Sequence, residues 1–219
     1  MQKLWRKLTP WLDRKPTKVK FITRFIAYVI DWAIGGIIAG FPAVFIYAAV
    51  TKRSDMFSDL YVFPALDFPA YWSFVAGIFC VLVALVYYVY IPYKKYPGQT
   101  LGKKWMKIKI MRLDGQPLDL KTLFIRQILG LMLLEGVSMV VTNYIRQMLT
   151  LATGFYLDYY LLAFGSFITV ISCVLVFNTP SARAIHDYMA KTRVALEDEE
   201  YHVTEKKKKS KSKLKNQHK

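Results

Sequence analysis

Four long apolar runs constrain this chain more than any other feature of its sequence. A bilayer core of about 30 Å needs roughly 20 mostly apolar residues, because backbone amides in hydrocarbon must be hydrogen-bonded within the segment itself. The runs that meet this requirement cover about residues 21–50, 71–91, 123–142 and 159–177. We therefore predict an all-α membrane protein built on a bundle of four transmembrane helices.

The charged residues lie mainly between these runs, and their distribution predicts the orientation of the chain. Lys and Arg near the ends of spans are retained in the cytoplasm. Residues 1–20 carry seven basic side chains and residues 94–121 carry eight, whereas residues 51–70 carry two and residues 143–157 carry one. The segment after Asn178 is basic again, with eleven Lys and Arg. We expect both termini and the 94–121 loop to be cytoplasmic.

The two ends of the chain differ from the transmembrane domain, which we assign to residues 21–196. In residues 1–20, apolar side chains recur at helical spacing among basic ones. This pattern predicts a short amphipathic helix lying in the headgroup layer. Residues 197–219 are charged and rich in Lys, so we predict a disordered cytoplasmic tail.

The 94–121 loop contains an alternating segment. Met106, Ile108 and Ile110 alternate with lysines before Asp114 and Gly115. Alternation followed by an Asp-Gly turn is typical of a β-hairpin, so we predict a small hairpin on the cytoplasmic side.

The formal net charge of +16 would also suit a nucleic-acid-binding protein. Here, however, the basic residues flank apolar spans, where they meet the negatively charged surface of the bilayer. We therefore expect anionic lipids rather than nucleic acid as the partner of these residues.

Asp31 is the clearest candidate for a functional residue. It lies about ten residues into the first run, roughly 15 Å deep and close to the midplane. A carboxylate at that depth costs several kcal/mol unless it is paired or hydrated. Arg24 is on the same helical face, but two turns separate it from Asp31, so a direct pair is not expected. The alternative role for Asp31 is purely structural, as a hydrogen-bonded residue that fixes helix packing.

Glu135 is the second carboxylate within an apolar run. Thr142 lies on the same helical face, whereas Arg126 falls on the opposite one. Two positions remain open for Glu135: a polar cavity shared with Asp31, or a tilt toward the outer surface.

An ordered set of motifs resembles a known family. The set comprises Arg24 and Asp31, then Pro97–Lys104, Leu113-Asp114-Gly115, Arg126, His186-Asp187 and Thr192-Arg193-Val194. In this order the motifs resemble the RDD family of bacterial membrane proteins over about residues 20–196. The resemblance implies a bacterial plasma membrane location and matches the family's arginine and two aspartates to Arg24, Asp31 and Asp187. It also implies transport of undefined ligands, including cation/proton exchange.

The same resemblance draws attention to the cytoplasmic ends of the spans. Arg24, Arg126 and Asp187 all fall there, and we expect Asp187 to pair with one of the two arginines. These three residues form a candidate charge network.

The sequence contains no pattern typical of an enzyme or a metal site. Its Cys and His residues lack metal-ligand spacing, and the glycines of Pro97–Lys104 lack the spacing of a P-loop. Those glycines are predicted to make turns where the chain re-enters the interface. We expect no cofactor, no metal and no catalytic activity.

Two functional hypotheses remain. In the first, the chain transports a small ligand or exchanges protons and monovalent cations, using Asp31 and Glu135 as binding sites. Four spans are few for a complete pathway, so we then expect a homo-oligomer or a membrane-protein partner. In the second, the chain is a non-catalytic subunit or regulator of another membrane complex.

Overall fold

The chain folds into a helical bundle with one small sheet at one end. The computed structural model describes residue 13 and residues 15–136 and 139–199. In chain order its elements are α1 (Phe21–Thr51), α2 (Val62–Ala65), α3 (Tyr71–Leu85), α4 (Leu101–Trp105), β1 (Ile108–Arg112), α5 (Leu120–Phe124), α6 (Val140–Thr153), α7 (Leu157–Asn178), α8 (Ile185–Met189) and β2 (Thr192–Leu196). π-Helical segments extend α3 from Val86 to Lys95 and α5 from Ile125 to Leu134.

Three of the predicted spans are single helices that are long and apolar enough to cross a membrane. They are Phe21–Thr51, Tyr71–Lys95 and Leu157–Asn178. The face of α1 that carries Asp31 is buried, together with Ala27 and Gly35. This face packs against other elements of the protein, as its small and polar residues predict.

The run at 123–142 is not one continuous helix. The helix that begins at Leu120 ends at Leu134, and α6 begins only at Val140. Much of the predicted loop at 143–157 is therefore helix α6. Polar side chains satisfy carbonyl groups at the interruption: Thr142 donates to the Met132 carbonyl at 2.8 Å, and Thr169 donates to the Glu135 carbonyl at 2.6 Å.

The small sheet differs from the prediction. β1 lies where the alternation predicts a strand, but the proposed hairpin across Asp114-Gly115 is wrong. β1 pairs antiparallel with β2, so that Arg112 faces Thr192 and Ile108 faces Leu196. The sheet therefore joins the segment after α3 to the segment after α7. The local turn signal did not identify the partner because pairing is decided by which buried faces meet in the folded protein.

The segment between α1 and α3 folds back onto the opposite end of the bundle. Leu60 and Phe63 are buried against Tyr47, Cys80 and Tyr144. This segment is anchored to α6, because the Leu60 amide donates to the Gln147 side chain at 3.0 Å.

Two of the predictions lie largely outside the described residues. The amphipathic helix was predicted mainly from residues 1–12, and most of the charged tail, residues 200–219, is also outside them.

Candidate functional site

The carboxylate of Asp31 is surrounded by hydrogen-bond donors from α3 and the α4 region. Oδ1 accepts from the Tyr87 hydroxyl at 3.0 Å and from the Gly102 amide at 2.8 Å. Oδ2 accepts from the Thr100 hydroxyl and from the Lys103 ammonium, the latter at 3.0 Å. We call these five residues the Asp31 cluster.

The sequence of Pro97–Lys104 explains how α4 reaches Asp31. Gly98 has a φ of +77°, which suits the turn that redirects the chain after the π-helical segment. Gly102 lies within α4 and serves a different purpose from the predicted turn. A Cβ there would come within 2.9 Å of the Asp31 carboxyl group and would collide with the Ala27 carbonyl. Glycine therefore permits the close approach that places its amide on the carboxylate.

Lys103 is the cation that neutralises Asp31. Its ammonium also lies 3.1 Å from the Thr100 hydroxyl, and its side chain is only 13% exposed. Burial lowers the pKa of Lys103 below its ordinary value, although the charge of Asp31 acts in the opposite direction. Both partners of the ion pair, Lys103 and Asp31, are thus largely shielded from water.

Asp187 forms a second buried cluster. Arg126 donates to Oδ1 from Nε at 3.1 Å and from Nη2 at 2.8 Å, and Arg24 donates to Oδ2 at 2.8 Å. The Thr192 hydroxyl and the Ala184 amide complete the set, at 3.3 and 3.2 Å. We call these five residues the Asp187 cluster. Both arginines contact Asp187, where one was expected.

The Asp187 cluster connects distant parts of the chain. Arg24 comes from α1, Arg126 from the π-helical extension of α5, and Asp187 from α8. Burial alone would raise the pKa of Asp187, but the charge of Arg126, followed by those of His186 and Arg24, holds that pKa well below its usual range. Asp187 is therefore ionised at neutral pH and links these elements electrostatically.

Glu135 forms a third cluster, with Ser172 and His186. Its Oε1 accepts from the His186 amide at 2.6 Å, and its Oε2 accepts from Ser172 at 2.8 Å and lies 3.0 Å from His186 Nδ1. The structure places Glu135 differently from either alternative left open by the sequence. It contacts α7 through Ser172 and α8 through His186. The Asp187 cluster lies alongside, because His186 Nε2 is 3.9 Å from Asp187.

Sequence reasoning missed several members of these clusters. Tyr87, Thr100, Lys103 and Ser172 each lie in or beside a run that was interpreted only as a span or a turn. A signal for Lys103 was present: it is a lysine in the segment that shares the family resemblance with Asp31. The predicted separation of Arg24 from Asp31 agrees with their contacts, since each has other partners.

A surface groove lies beside the Asp187 cluster. It has a volume of about 580 Å³ and is lined by residues at the end of β1, the start of α5 and the end of α8. Its lining residues are Arg112, Leu113, Asp114, Asp119, Lys121, Thr122, Ile125, Met189, Ala190 and Lys191. The lining includes none of the three buried carboxylates. Within the described residues, no group of three or more His, Cys, Asp or Glu side chains is placed to hold a metal ion.

Comparison with known proteins gives one clear result. The sequence model described as the RDD family matches residues 18–191. Searches of curated proteins and of solved structures found no match. The family match includes every residue of the Asp31 and Glu135 clusters and all of the Asp187 cluster except Thr192. The chain therefore belongs to the RDD family.

Proposed function

We propose that this chain is a non-catalytic membrane subunit or regulator, in which the buried charges hold the helices in one arrangement. The observation that supports this proposal is the environment of Asp31. Each of its two oxygens accepts two hydrogen bonds from the protein. A carboxylate has about four lone-pair sites, so the protein occupies its acceptor capacity.

The other two buried carboxylates strengthen the proposal. Asp187 accepts five hydrogen bonds and is bracketed by two arginines. Glu135 accepts hydrogen bonds from the Ser172 hydroxyl and the His186 amide. An ion-binding carboxylate needs oxygen lone pairs that face an open coordination position. All three carboxylates instead face donors of the same chain.

The outer face of α7 is available to a partner helix. Only 11% of its most apolar 18-residue stretch is buried within this chain, and the buried residues of α7 are Gly165 and Ser172. Lipid or another transmembrane helix must cover the rest of this surface. Because apolar side chains pack equally well on lipid, this surface accommodates a partner helix without requiring one.

We propose the following topology for this subunit. The two helical halves at Leu120–Leu134 and Val140–Thr153 together make a fourth crossing, because the described residues of the interruption, Glu135, Gly136 and Met139, are buried in protein, where irregular backbone is tolerated. With both termini in the cytoplasm of a bacterial cell, α1 enters the bilayer from the side of β1 and β2.

The length of α1 refines the position of Asp31. Its 31 residues correspond to about 46 Å, more than the roughly 30 Å of the hydrocarbon core. Ala27 packs on Ile108 of β1 and Val194 of β2. We infer that the first turns of α1 lie at the level of the cytoplasmic sheet, and that Asp31 is near the inner boundary of the core rather than at its midplane.

Exchange of protons and monovalent cations is the second candidate function, and one observation favours it. Lys103 is the only ammonium that contacts Asp31 among the described residues, and burial lowers its pKa. Loss of its proton would leave Asp31 without a positive partner, and a small cation would then compensate the carboxylate. This mechanism requires Lys103 to move away from Oδ2.

Flux measurements in reconstituted vesicles separate the two functions. We expect no flux of protons, Na⁺ or K⁺ through the wild-type protein, and none through Asp31→Asn. Cation-coupled flux in the wild type that is abolished in Asp31→Asn would reject the subunit proposal and support exchange.

A second experiment tests assembly. The protein is extracted from native membranes, and the size of its complex is measured on native gels. We expect the wild type in a complex larger than a monomer, and Asp31→Leu to lose that complex. If Asp31→Leu formed the same complex as the wild type, the Asp31 cluster would not be required for assembly. If the wild type itself ran as a monomer, the subunit proposal would be rejected.

A further inference from the structure

Several cations gather where the π-helical extension of α3 meets α4. Lys104 Nζ lies 3.4 Å from the centroid of the Tyr96 ring, and Lys95 Nζ lies 5.5 Å from the same centroid. Lys94 Nζ lies 5.1 Å from the centroid of Tyr93. Contacts of this kind orient ammonium groups over aromatic faces but leave their positive charge in place.

These lysines have no acidic partner in the part of the chain that the structure describes. The ion pairs of that part involve other basic residues, such as Lys103, Arg112 and Arg193. Lys95 and Lys104 therefore hold two like charges against one ring. Their mutual repulsion is relieved when an anion binds between them.

The position of this cluster identifies the kind of anion. Lys94 and Lys95 end the second membrane-crossing helix, so they lie where hydrocarbon gives way to headgroups. Trp105, next to Lys104, is 63% exposed. Exposed Trp, together with Tyr and Lys at the end of a span, is typical of the membrane interface, and lysine clusters there attract anionic lipids.

We propose that Lys94, Lys95 and Lys104, with Tyr96 and Trp105, bind the headgroup phosphate of an anionic phospholipid. The lysines supply the charge, Tyr96 holds two of them in place, and Trp105 contacts the interfacial region of the bilayer. The site is independent of the subunit proposal. Its Lys104 adjoins Lys103 of the Asp31 cluster in the same five-residue helix.

Native mass spectrometry of the full chain in neutral detergent tests the site. Phosphatidylglycerol and phosphatidylcholine with identical acyl chains are titrated in parallel, and the ratio of their apparent affinities is measured. We expect the wild type to prefer phosphatidylglycerol. The double variant Lys95→Gln/Lys104→Gln should lose about tenfold or more of that preference, since each interfacial lysine contributes to attraction of an anionic headgroup.

The matched control is Lys52→Gln/Arg53→Gln, which removes two positive charges just after the C-terminal end of α1. The proposed site lies near the other half of α1, where α4 approaches Asp31. This control should keep the wild-type preference. If both double variants lost the same part of the preference for phosphatidylglycerol, net charge alone would explain the preference, and the proposed site would be overturned. An unchanged preference in Lys95→Gln/Lys104→Gln, with wild-type thermal unfolding, would overturn it as well.

Two further additions distinguish the source of the anion. Inorganic phosphate, at the same concentration as the lipid, should leave phosphatidylglycerol bound, whereas efficient displacement would identify a site for free phosphate. Displacement by a polyglutamate peptide at that concentration would favour an acidic protein partner over a lipid. Tyr96→Leu keeps the charges but removes the ring, and we expect it to retain part of the preference.

Discussion

Arg126 donates to the same oxygen of Asp187 from both Nε and Nη2, at 3.1 and 2.8 Å. This leaves the other carboxylate oxygen for Arg24, at 2.8 Å. Asp187 is completely buried, and Arg126 is 2% exposed. A single carboxylate thus pairs with two arginines from different helices, and its removal leaves both arginines without this partner.

The first prediction concerns loss of this carboxylate. Asp187→Asn leaves Arg24 and Arg126 facing each other, and we expect it to lower the free energy of unfolding by about 3–5 kcal/mol. Asp114→Asn is the control, because Asp114 pairs with Arg112 at the exposed surface and its loss should cost about 1 kcal/mol or less. Thermal unfolding in detergent measures both. Exchanging Asp187 with either arginine should fail to restore stability, since the remaining arginine would then face another arginine.

The pH dependence of stability provides a second prediction. The pKa of Asp187 is depressed in the folded protein, so its stabilisation is complete above the unfolded-state value of about 3.9. As the pH falls from there toward the folded-state pKa, the stabilisation is lost. The stability difference between the wild type and Asp187→Asn should therefore be constant near neutral pH and shrink below about pH 4. A difference that stays constant to about pH 3 would contradict the depressed pKa.

A third prediction addresses the pair formed by Asp31 and Lys103. Lys103→Met leaves the buried carboxylate without its cation, and Asp31→Asn leaves the buried ammonium without its anion. We expect each change to cost about 2–4 kcal/mol and the double variant to cost less than the sum, with a coupling of about 1–3 kcal/mol. The four proteins are compared by chemical unfolding in the same detergent. Strict additivity would show that the two charges do not stabilise each other.

The fourth prediction concerns the close approach of α4 to α1. In Gly102→Ala the new methyl group meets the Ala27 carbonyl and the Asp31 carboxyl group, neither of which has room to move. We expect a loss of about 2–3 kcal/mol, as for overpacked cores. Gly36→Ala is the matched control, since its methyl group meets only the Val140 side chain, at 3.1 Å, a contact that a shift of a few tenths of an ångström relieves. Equal thermal stability of Gly102→Ala and Gly36→Ala would argue against the close approach.

The fifth prediction tests the proposed orientation. In a chain without Cys80 and Cys173, single cysteines are placed at Met56 and at Lys107, which are both exposed. A membrane-impermeant thiol reagent added to intact cells should label position 56 but not position 107. Labelling at position 107 in intact cells would contradict the proposed orientation.

The sequence was sufficient to predict the parts of the fold that depend on local composition. Three long helices follow from apolar length, and β1 follows from the alternation of Ile108 and Ile110 with lysines. The strand partner could not be found this way, because the pairing of Arg112 with Thr192 depends on the return of the last long helix. The interruption after Leu134 was equally hidden, since its hydrogen-bond partners, Thr169 and His186, belong to distant segments.

The sequence predicted the carboxylates of the candidate site but not the residues that donate hydrogen bonds to them. Burial of Asp31 and Glu135 follows from their depth in apolar runs, and Asp187 was named through the family resemblance. Their donors come from other elements, so distance along the chain gave no guide to them. The helical spacing of Arg24 and Asp31 did predict that they would not pair, because periodicity fixes relations within one helix.

The pairing of β1 with β2 also sets an order for biogenesis. Lys109 and Glu197, which meet at one end of the sheet, are 88 residues apart in the chain. At 5–20 residues per second, β1 waits roughly 4–18 s for its partner to be synthesised. During that time the edge of β1 that pairs with β2 is open, and α7, a further candidate membrane span, must be inserted. A chain that stalls before α7 would therefore keep an unpaired strand edge, which is a template for pairing with another chain and for aggregation.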